Sequence, residues 1–268
     1  MKYFSATYQD FVVYDQKPNE DFYLVSSQGP IFAVADGVTN FHRKNGDYAF
    51  PRDARQAAEI FCKTAIEFLE QKKDIKKAFD LANEKIKELN IKYGMDKKLD
   101  YVVYDWFDTV AAAGFIAENK LYYGFVGDCG VAIFDAKDKL RFQTKDMVHP
   151  AVQRFEKKYE KHGKLDLPIR TEIIHKEFRN NPNKMGYGSF TGEIGVKNYY
   201  KLGNRNIKNG DLIVFYTDGL TEFLKDKKFV EILRSKDQKE MDEFIIKKAK
   251  EDERRFGKDR TFIAIENL

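Results

Sequence analysis

The first clear hydrophobic pattern in the chain is a pair of short apolar runs, Phe22–Val25 and Ile31–Ala35, separated by turn-forming residues. Two such runs around a short loop predict an antiparallel β-hairpin. With the turn centred on Gln28, Glu20 is predicted to face Asp36 across the two strands. Carboxylates in directly opposed positions have Cβ atoms about 5 Å apart.

That pairing has an electrostatic consequence. Two like charges at this range repel by about 3 kcal/mol at an effective dielectric of about 20. Either one carboxyl group holds a proton, as in a coupled acid pair, or a cation lies between the two. The hairpin alone leaves both possibilities open.

Two helical patterns follow the hairpin. Pro51 suits the first turn of a helix, and apolar residues then recur at helical spacing from Ala54 to Leu69. A second helix is predicted to begin after Asp74, a suitable N-cap, and to end at Gly94. We expect the two helices to form an antiparallel pair that lies on a sheet.

Strand patterns return after the helices. Tight turns separate four apolar runs, which predicts an antiparallel meander, and the runs are Thr109–Ala117, Lys120–Val126, Val131–Phe134 and Leu140–Thr144. Residues 146–195 are polar and contain proline and glycine, so we expect an insertion or flap with too few apolar residues for a core of its own.

The last part of the chain alternates between strands and helices. Asp211–Thr217 is almost continuously apolar, which is typical of a strand that is buried on both faces. Helices are predicted near Lys228–Arg234 and Met241–Arg255, and a final strand at Thr261–Ile265.

Composition narrows the class of protein. The 268 residues are 43% hydrophobic, and the 47 basic and 43 acidic residues give a net charge of only +4. So balanced a charge argues against nucleic-acid binding. Cys62 and Cys129 lie far apart with no metal-ligand spacing, which favours a reducing compartment, and Cys129 is expected to be a small packed residue. Without a leader pattern or a long apolar run, we expect a soluble cytoplasmic protein that binds no membrane.

Acidic residues stand at the ends of several apolar strands. Asp259 directly precedes the last predicted strand, and three other strands end at an acid beside a glycine: Ala35-Asp36-Gly37, Val126-Gly127-Asp128 and Thr217-Asp218-Gly219. One Asp-Gly pair is an ordinary turn. Several acids gathered at one edge of a shared sheet, however, need hard cations between them, and all-oxygen ligands favour magnesium or manganese.

These motifs, in this order, resemble the protein phosphatase 2C family, the magnesium- or manganese-dependent serine/threonine phosphatases, in its bacterial branches. The resemblance runs from about residue 5 to the end of the chain. It rests on five motifs: Asn19-Glu20-Asp21, Ile31–Gly37, Leu121–Asp128, Asp211–Gly219 with Leu220-Thr221-Glu222, and Asp259-Arg260-Thr261.

The resemblance implies an α+β fold in which residues 1–268 form a single domain. Two antiparallel β-sheets would pack face to face between antiparallel helix pairs, as a four-layer αββα sandwich. It also implies a phosphatase for phosphoserine and phosphothreonine in proteins, whose phosphoprotein substrates are supplied by an opposing kinase, and which acts in signalling as a monomer.

The family also implies the roles of individual residues. Asp36 would bridge two metal ions and, with Asp218 and Asp259, form the catalytic centre. Asp218 and Asp259 would complete the site of one ion, whereas Glu20 and the backbone carbonyl of Gly37 would hold the other.

Further acids have secondary roles in the same resemblance. Asp21 would support the metal ligands from behind. Asp128 and Glu222 match a pair that binds a third ion in some members.

The sequence departs from the family at the substrate phosphate. Many members carry a phosphate-clamping arginine four residues before the glutamate, where this chain has Gln16. Lys17 could bind the phosphate, but it lacks the bidentate fork of arginine. Arg43 and Arg52 are further candidates.

A second departure concerns the proton donor. Eukaryotic members often have a histidine directly after the Asp-Gly pair, and Val38 stands there in this chain. His42 is a candidate donor in the next loop. The three remaining histidines are expected at the surface or in the flap: His149, His162 and His175.

Two other functions stay open at this point. The missing clamp arginine also suits a non-catalytic metal-binding regulator of the same fold. A two-metal hydrolase of another phosphoester, such as a nucleotide, would use the same carboxylates.

Overall fold

The computed structural model describes residues 3–9, 18–38, 53–183 and 185–267. The strands in these ranges are β1 Tyr3–Tyr8, β2 Phe22–Val25, β3 Ile31–Gly37, β4 Thr109–Ala117, β5 Lys120–Val126, β6 Gly130–Phe134, β7 Leu140–Gln143, β8 Lys201–Asn206, β9 Leu212–Tyr216 and β10 Arg260–Glu266. They form two antiparallel sheets of five strands each, in the orders β1-β10-β9-β6-β7 and β2-β3-β4-β5-β8.

Helices cover the outer face of each sheet. The α-helices of the described residues are α1 Asp53–Lys72, α2 Ile75–Lys92, α3 Met95–Lys98, α4 His149–Tyr159, α5 Leu167–Ile173, α6 Lys227–Ser235, α7 Gln238–Glu251 and α8 Glu253–Phe256. The helices α1 and α2 pack on the β2–β8 sheet, and α6 to α8 pack on the β1–β7 sheet. A third apolar layer fills the space between the sheets. The predicted four-layer αββα sandwich is confirmed.

The helix boundaries follow from local chemistry. Asp74 caps α2, because its side chain accepts a hydrogen bond of 3.0 Å from the backbone nitrogen of Lys77. Gly94 follows α2 with a left-handed φ of 68°, a conformation that glycine adopts readily. None of the described helices combines the length and the apolar character that a bilayer-spanning helix requires.

The register of the first hairpin differs from the prediction by one residue. Phe22 pairs with Ala35, and the backbone nitrogen of Gly37 donates to the carbonyl of Glu20 at 3.3 Å. Ser26 also bonds to the carbonyl of Ile31, so the turn is centred after Gln28 and not on it. Asp21, not Glu20, is therefore the acid opposite Asp36.

The predicted meander is split between the two sheets. β4 and β5 pair in one sheet, whereas β6 and β7 pair in the other. The chain crosses over at Gly127, which has a left-handed φ of 81° and where a Cβ would lie 2.3 Å from Cγ1 of Val110. This crossing carries Asp128 to the common edge of the sandwich. The polar edge strand β8 was not predicted at all.

The segment predicted to be a flap has a small apolar core, contrary to expectation. Ala151 and Phe155 of α4 pack against Phe178 and Tyr187. Phe190, further along, belongs instead to the core beneath α1 and α2. The segment is therefore a compact unit that is fastened to the main body at its carboxyl end.

Candidate active site

A cavity of about 430 Å³ lies where strand ends from both sheets meet. Its lining includes five of the residues that were singled out from the sequence: Asp36, Gly37, Asp128, Asp218 and Asp259. The prediction that these strands share one sheet is wrong. Asp36 lies near the end of β3 and Asp128 follows β5 of the same sheet, whereas Asp218 and Asp259 flank strands of the other. The acids converge because the two sheets stack with these strand ends together.

Glu20 and Asp21 are buried directly behind this lining. The backbone nitrogen of Glu20 donates to Oδ2 of Asp259 at 3.2 Å, which ties the first hairpin to the start of β10. Thr217 donates its hydroxyl hydrogen to Oδ2 of Asp21 at 2.8 Å. The other carboxylate oxygen of Asp21 accepts no hydrogen bond from any residue that the structure describes.

Burial and crowding raise the pKa values of three of these carboxyl groups. Burial, followed by the charge of Asp259, raises the pKa of Asp21 to about 8. Burial and the charge of Asp218 raise the pKa of Asp128 to about 8. The pKa of Asp36 is raised well above its ordinary value by burial and then by Asp21. Such a cluster ionises fully at neutral pH only with positive charge nearby.

One positive charge is already present at the cavity. Lys258 forms an ion pair with Asp218, and the charge of that carboxylate is the main reason why the pKa of the lysine is raised. Within the described ranges, no three acidic, histidine or cysteine side chains stand as close together as the ligands of a bound ion.

The residues present nevertheless suit a pair of hard cations. The lining is rich in carboxylate oxygens, and the buried Oδ1 of Asp21 has no described partner. The backbone at Gly37 is packed so closely that a Cβ would lie 2.5 Å from the carbonyl oxygen of Ala54. Glycine is therefore required there, and its small size keeps the backbone beside the carboxylates accessible.

The raised pKa values predict how the stability of the metal-free protein depends on pH. The folded-state pKa values of Asp21 and Asp128, about 8, exceed the usual value of 3.8. The folded protein therefore binds more protons than the unfolded chain, and stability is lost as the pH rises towards 8. We expect the melting temperature in EDTA to fall by about 5 °C or more between pH 6 and pH 8.5.

Thermal melts in EDTA and in excess manganese measure this effect. Manganese should restore stability most strongly at the upper end of that range. A melting temperature in EDTA that is flat or rises between the two pH values would contradict the assigned electrostatics.

Glu222 lies apart from the predicted third metal position. Its Oε2 accepts hydrogen bonds from Nη2 and Nε of Arg255 at 2.7 Å and 3.0 Å, and Lys225 pairs with its other oxygen. Asp128 lines the cavity, whereas Glu222 is absent from its lining. Joint binding of an ion by this pair stays a prediction, and it requires Glu222 to leave Arg255.

Several predicted substrate residues lie outside the described residues. They are Gln16, Lys17, Arg43, Arg52 and His42. The possible contact of Lys17 with phosphate stays a prediction.

Three flap residues with ionisable side chains line the cavity: Arg170, His175 and Tyr187. The sequence analysis did not assign Arg170 or His175 to the site. His149 and His162 are exposed, as expected. His175, in contrast, is only 10% exposed in its side chain and faces the cavity. No local spacing signals this, because the flap residues reach the cavity only through tertiary packing. Lys258 was also missed, although it directly precedes Asp259.

The two cysteines are buried, as expected for packed residues. Burial raises the pKa of Cys129 well above its ordinary value, and the charge of Asp36 adds to the effect. Burial does the same for Cys62. Neither thiol is a suitable nucleophile, because the thiolate is the reactive form.

Comparisons with known proteins agree with this architecture. Residues 10–244 match the sequence profile of the protein phosphatase 2C family. The chain therefore belongs to this family. None of the curated protein sequences shows a significant match to the chain.

Solved structures show the same fold. The serine/threonine phosphatase PstP of Mycobacterium tuberculosis superposes with a TM-score of 0.61 at 19% identity, over 99% of this chain and 97% of the other. The serine/threonine phosphatase of S. agalactiae gives a TM-score of 0.64 at 18% identity, over 100% and 99%. A PstP catalytic domain in complex with two manganese ions gives 0.60 at 18% identity, over 99% and 97%.

Proposed function

We propose that this chain is a metal-dependent phosphatase that hydrolyses phosphoserine and phosphothreonine in proteins through a two-metal carboxylate site. The observation that carries the proposal is the convergence of four aspartates from two different sheets on one cavity. Burial and mutual repulsion raise the pKa values of Asp36 and Asp128. A neutral ligand would leave this repulsion in place, whereas divalent cations would neutralise it.

The proposed ligands are those that the family resemblance implies. Asp36 would be shared between two ions, with Asp218 and Asp259 on one side and Glu20 and the carbonyl of Gly37 on the other. When bound, the two magnesium or manganese ions would lower the pKa of a water molecule and neutralise the oxygens of the substrate phosphate.

The remaining residues of the site orient these groups. Thr217 fixes Oδ2 of Asp21 through its hydroxyl group, and Oδ1, which has no described partner, would be available to a water bound to a metal ion. Asp259 is fixed by the backbone nitrogen of Glu20. Lys258 and Arg170 also line the cavity, where they are paired with Asp218 and Glu160, and they would bind a phosphate dianion only by exchanging these partners.

The cellular role is part of the same proposal. A phosphoprotein phosphatase of this kind would act in cytoplasmic signalling as a monomer and would oppose a serine/threonine kinase. The relative that binds two manganese ions supports the type of cofactor.

Hydrolysis of a phosphothreonine peptide, with excess manganese or with EDTA, tests the proposal. We expect a kcat on the order of 1–10 per second with manganese and no measurable turnover in EDTA. Equal turnover in EDTA would overturn the proposal.

Two other results would favour the alternative functions. Tight manganese binding without turnover of any phosphopeptide would indicate a non-catalytic regulator. Turnover of nucleotide phosphoesters but not of phosphopeptides would indicate a hydrolase with another substrate.

A further inference from the structure

His175 reaches the carboxylate cavity from the flap. It lies in a π-helical turn, Ile174–Phe178, that directly continues α5. Such turns insert an extra residue into a helix and are frequent at functional sites. The His175 side chain is 10% exposed and shares the cavity lining with Asp36 and Asp218.

The imidazole ring is held by a buried carboxylate. Nδ1 of His175 lies 2.5 Å from Oδ2 of Asp105. Asp105 in turn accepts hydrogen bonds from Arg179 at 2.6 Å and 2.9 Å. Burial opposes ionisation of Asp105, but Arg179 and His175 outweigh it and hold the pKa of this carboxyl group below its usual range. The ring therefore lies with Nδ1 against a buried anion, at ion-pair distance but outside hydrogen-bond geometry.

The other ring nitrogen remains available. Nε2 of His175 makes no hydrogen bond with the residues that the structure describes. With Nδ1 against this carboxylate, Nε2 is the ring nitrogen that is left for a ligand. Histidine anchored in this way can give a proton from Nε2 to a group in the cavity.

Apart from the carboxyl groups that are proposed to bind metal ions, the other ionisable side chains of the described lining are poor proton donors. The position after Asp36-Gly37 is Val38, which has no proton to give. Burial raises the pKa of Tyr187 far above neutrality, and Lys258 is paired with Asp218. Arg170 is paired with Glu160.

We propose that His175 is the proton donor to the leaving oxygen of the substrate, a role that rests on the proposed phosphatase function. The oxygen of a water molecule forms the new bond to phosphorus and keeps one proton. The bond between phosphorus and the serine or threonine oxygen breaks, and its electron pair stays on that oxygen. This oxygen takes the proton from Nε2 of His175, and the second proton of the water returns to the imidazole through solvent.

The choice of leaving group distinguishes this role from a structural one. The alkoxide of serine or threonine is a poor leaving group and needs a proton, whereas p-nitrophenolate is stable as an anion and needs almost none. In manganese, His175→Asn should lower kcat on a phosphothreonine peptide by about 100-fold. On p-nitrophenyl phosphate the loss should stay below about 3-fold, because only donation to the alkoxide is removed.

Asparagine is chosen because its amide can keep the contact with Asp105. If His175→Asn melts at a lower temperature than the wild type, His175→Gln replaces it as the test variant. Its amide lies nearer the position of Nε2. His162→Asn is the matched control, because His162 is an exposed histidine of the same flap. It should leave both activities unchanged.

The outcomes separate this proposal from the function on which it rests. Equal losses on the two substrates, or no loss on the peptide, would overturn proton donation by His175 while the phosphatase assignment stands. Failure of the wild-type protein to hydrolyse either substrate in manganese would overturn both.

Discussion

Replacing Asp36 with asparagine should lower kcat for phosphopeptide hydrolysis at least about 1,000-fold, the equivalent of about 4 kcal/mol. Asp36 lies at the end of β3, between Asp21 in the hairpin and the aspartates of the opposite sheet. In the proposed site it is the ligand that both ions share. Its neutralisation therefore weakens both metal positions at once.

The same substitution should stabilise the metal-free protein. It removes one member of a group of mutually repelling carboxylates, so the melting temperature of the variant in EDTA should be higher than that of the wild type. The rise in melting temperature on adding manganese should be smaller in the variant. Asp96→Asn is the control, because Asp96 is an exposed aspartate on α3. A variant at Asp36 that keeps more than a tenth of the wild-type kcat would contradict the ligand assignment.

Replacing Arg179 with methionine should cost about 3–5 kcal/mol of unfolding free energy and lower the melting temperature by about 10 °C. The guanidinium is fully buried, with two hydrogen bonds to Asp105 and one of 3.1 Å to Asp108. Methionine fills much of the volume but leaves Asp108 buried without a counter-charge and leaves Asp105 with only His175 beside it. Ser189 still donates to Asp108, which offsets only part of the loss.

Urea unfolding at two pH values measures this cost and identifies its origin. The deficit of the variant should shrink as the pH falls towards 4, because Asp105 and Asp108 can then take up protons. Arg254→Met is the matched control, because Arg254 is exposed, and it should change stability by less than about 0.5 kcal/mol. An Arg179 variant within about 1 kcal/mol of the wild type would contradict this account of the cluster.

Arg179 also shows what links the flap to the site. It follows the π-helical turn and is joined to Asp105 and Asp108, which precede β4. The same Asp105 holds His175. A loss at Arg179 should therefore disturb the catalytic position of the imidazole as well as the stability of the fold.

Periodicity predicted the elements well because their burial is simple. β4 and β5 match the predicted strands, since strict burial on both sides leaves apolar runs with clear ends. The hairpin register was wrong by one residue, because the centre of a turn depends on the hydrogen bond between Ser26 and Ile31. A shift of one residue exchanged Glu20 for Asp21 opposite Asp36.

It was harder to predict which strands pair with one another when they are far apart in the sequence. The crossing at Gly127 moves β6 into the other sheet, and nothing in a run of apolar residues specifies which sheet a strand joins. β8 is polar and lies at a sheet edge, so it has no apolar pattern to detect. The residues Arg170 and His175 reach the cavity only after the flap has folded.

The central claim is that the aspartates of both sheets form a two-metal site. Crystals grown with manganese, and an anomalous difference map recorded at the manganese absorption edge, test it most directly. The account predicts two peaks in the cavity, both adjacent to Asp36, with Asp218 and Asp259 beside one of them. A map with no peak beside Asp36, or with a single ion there at saturating manganese, would contradict it.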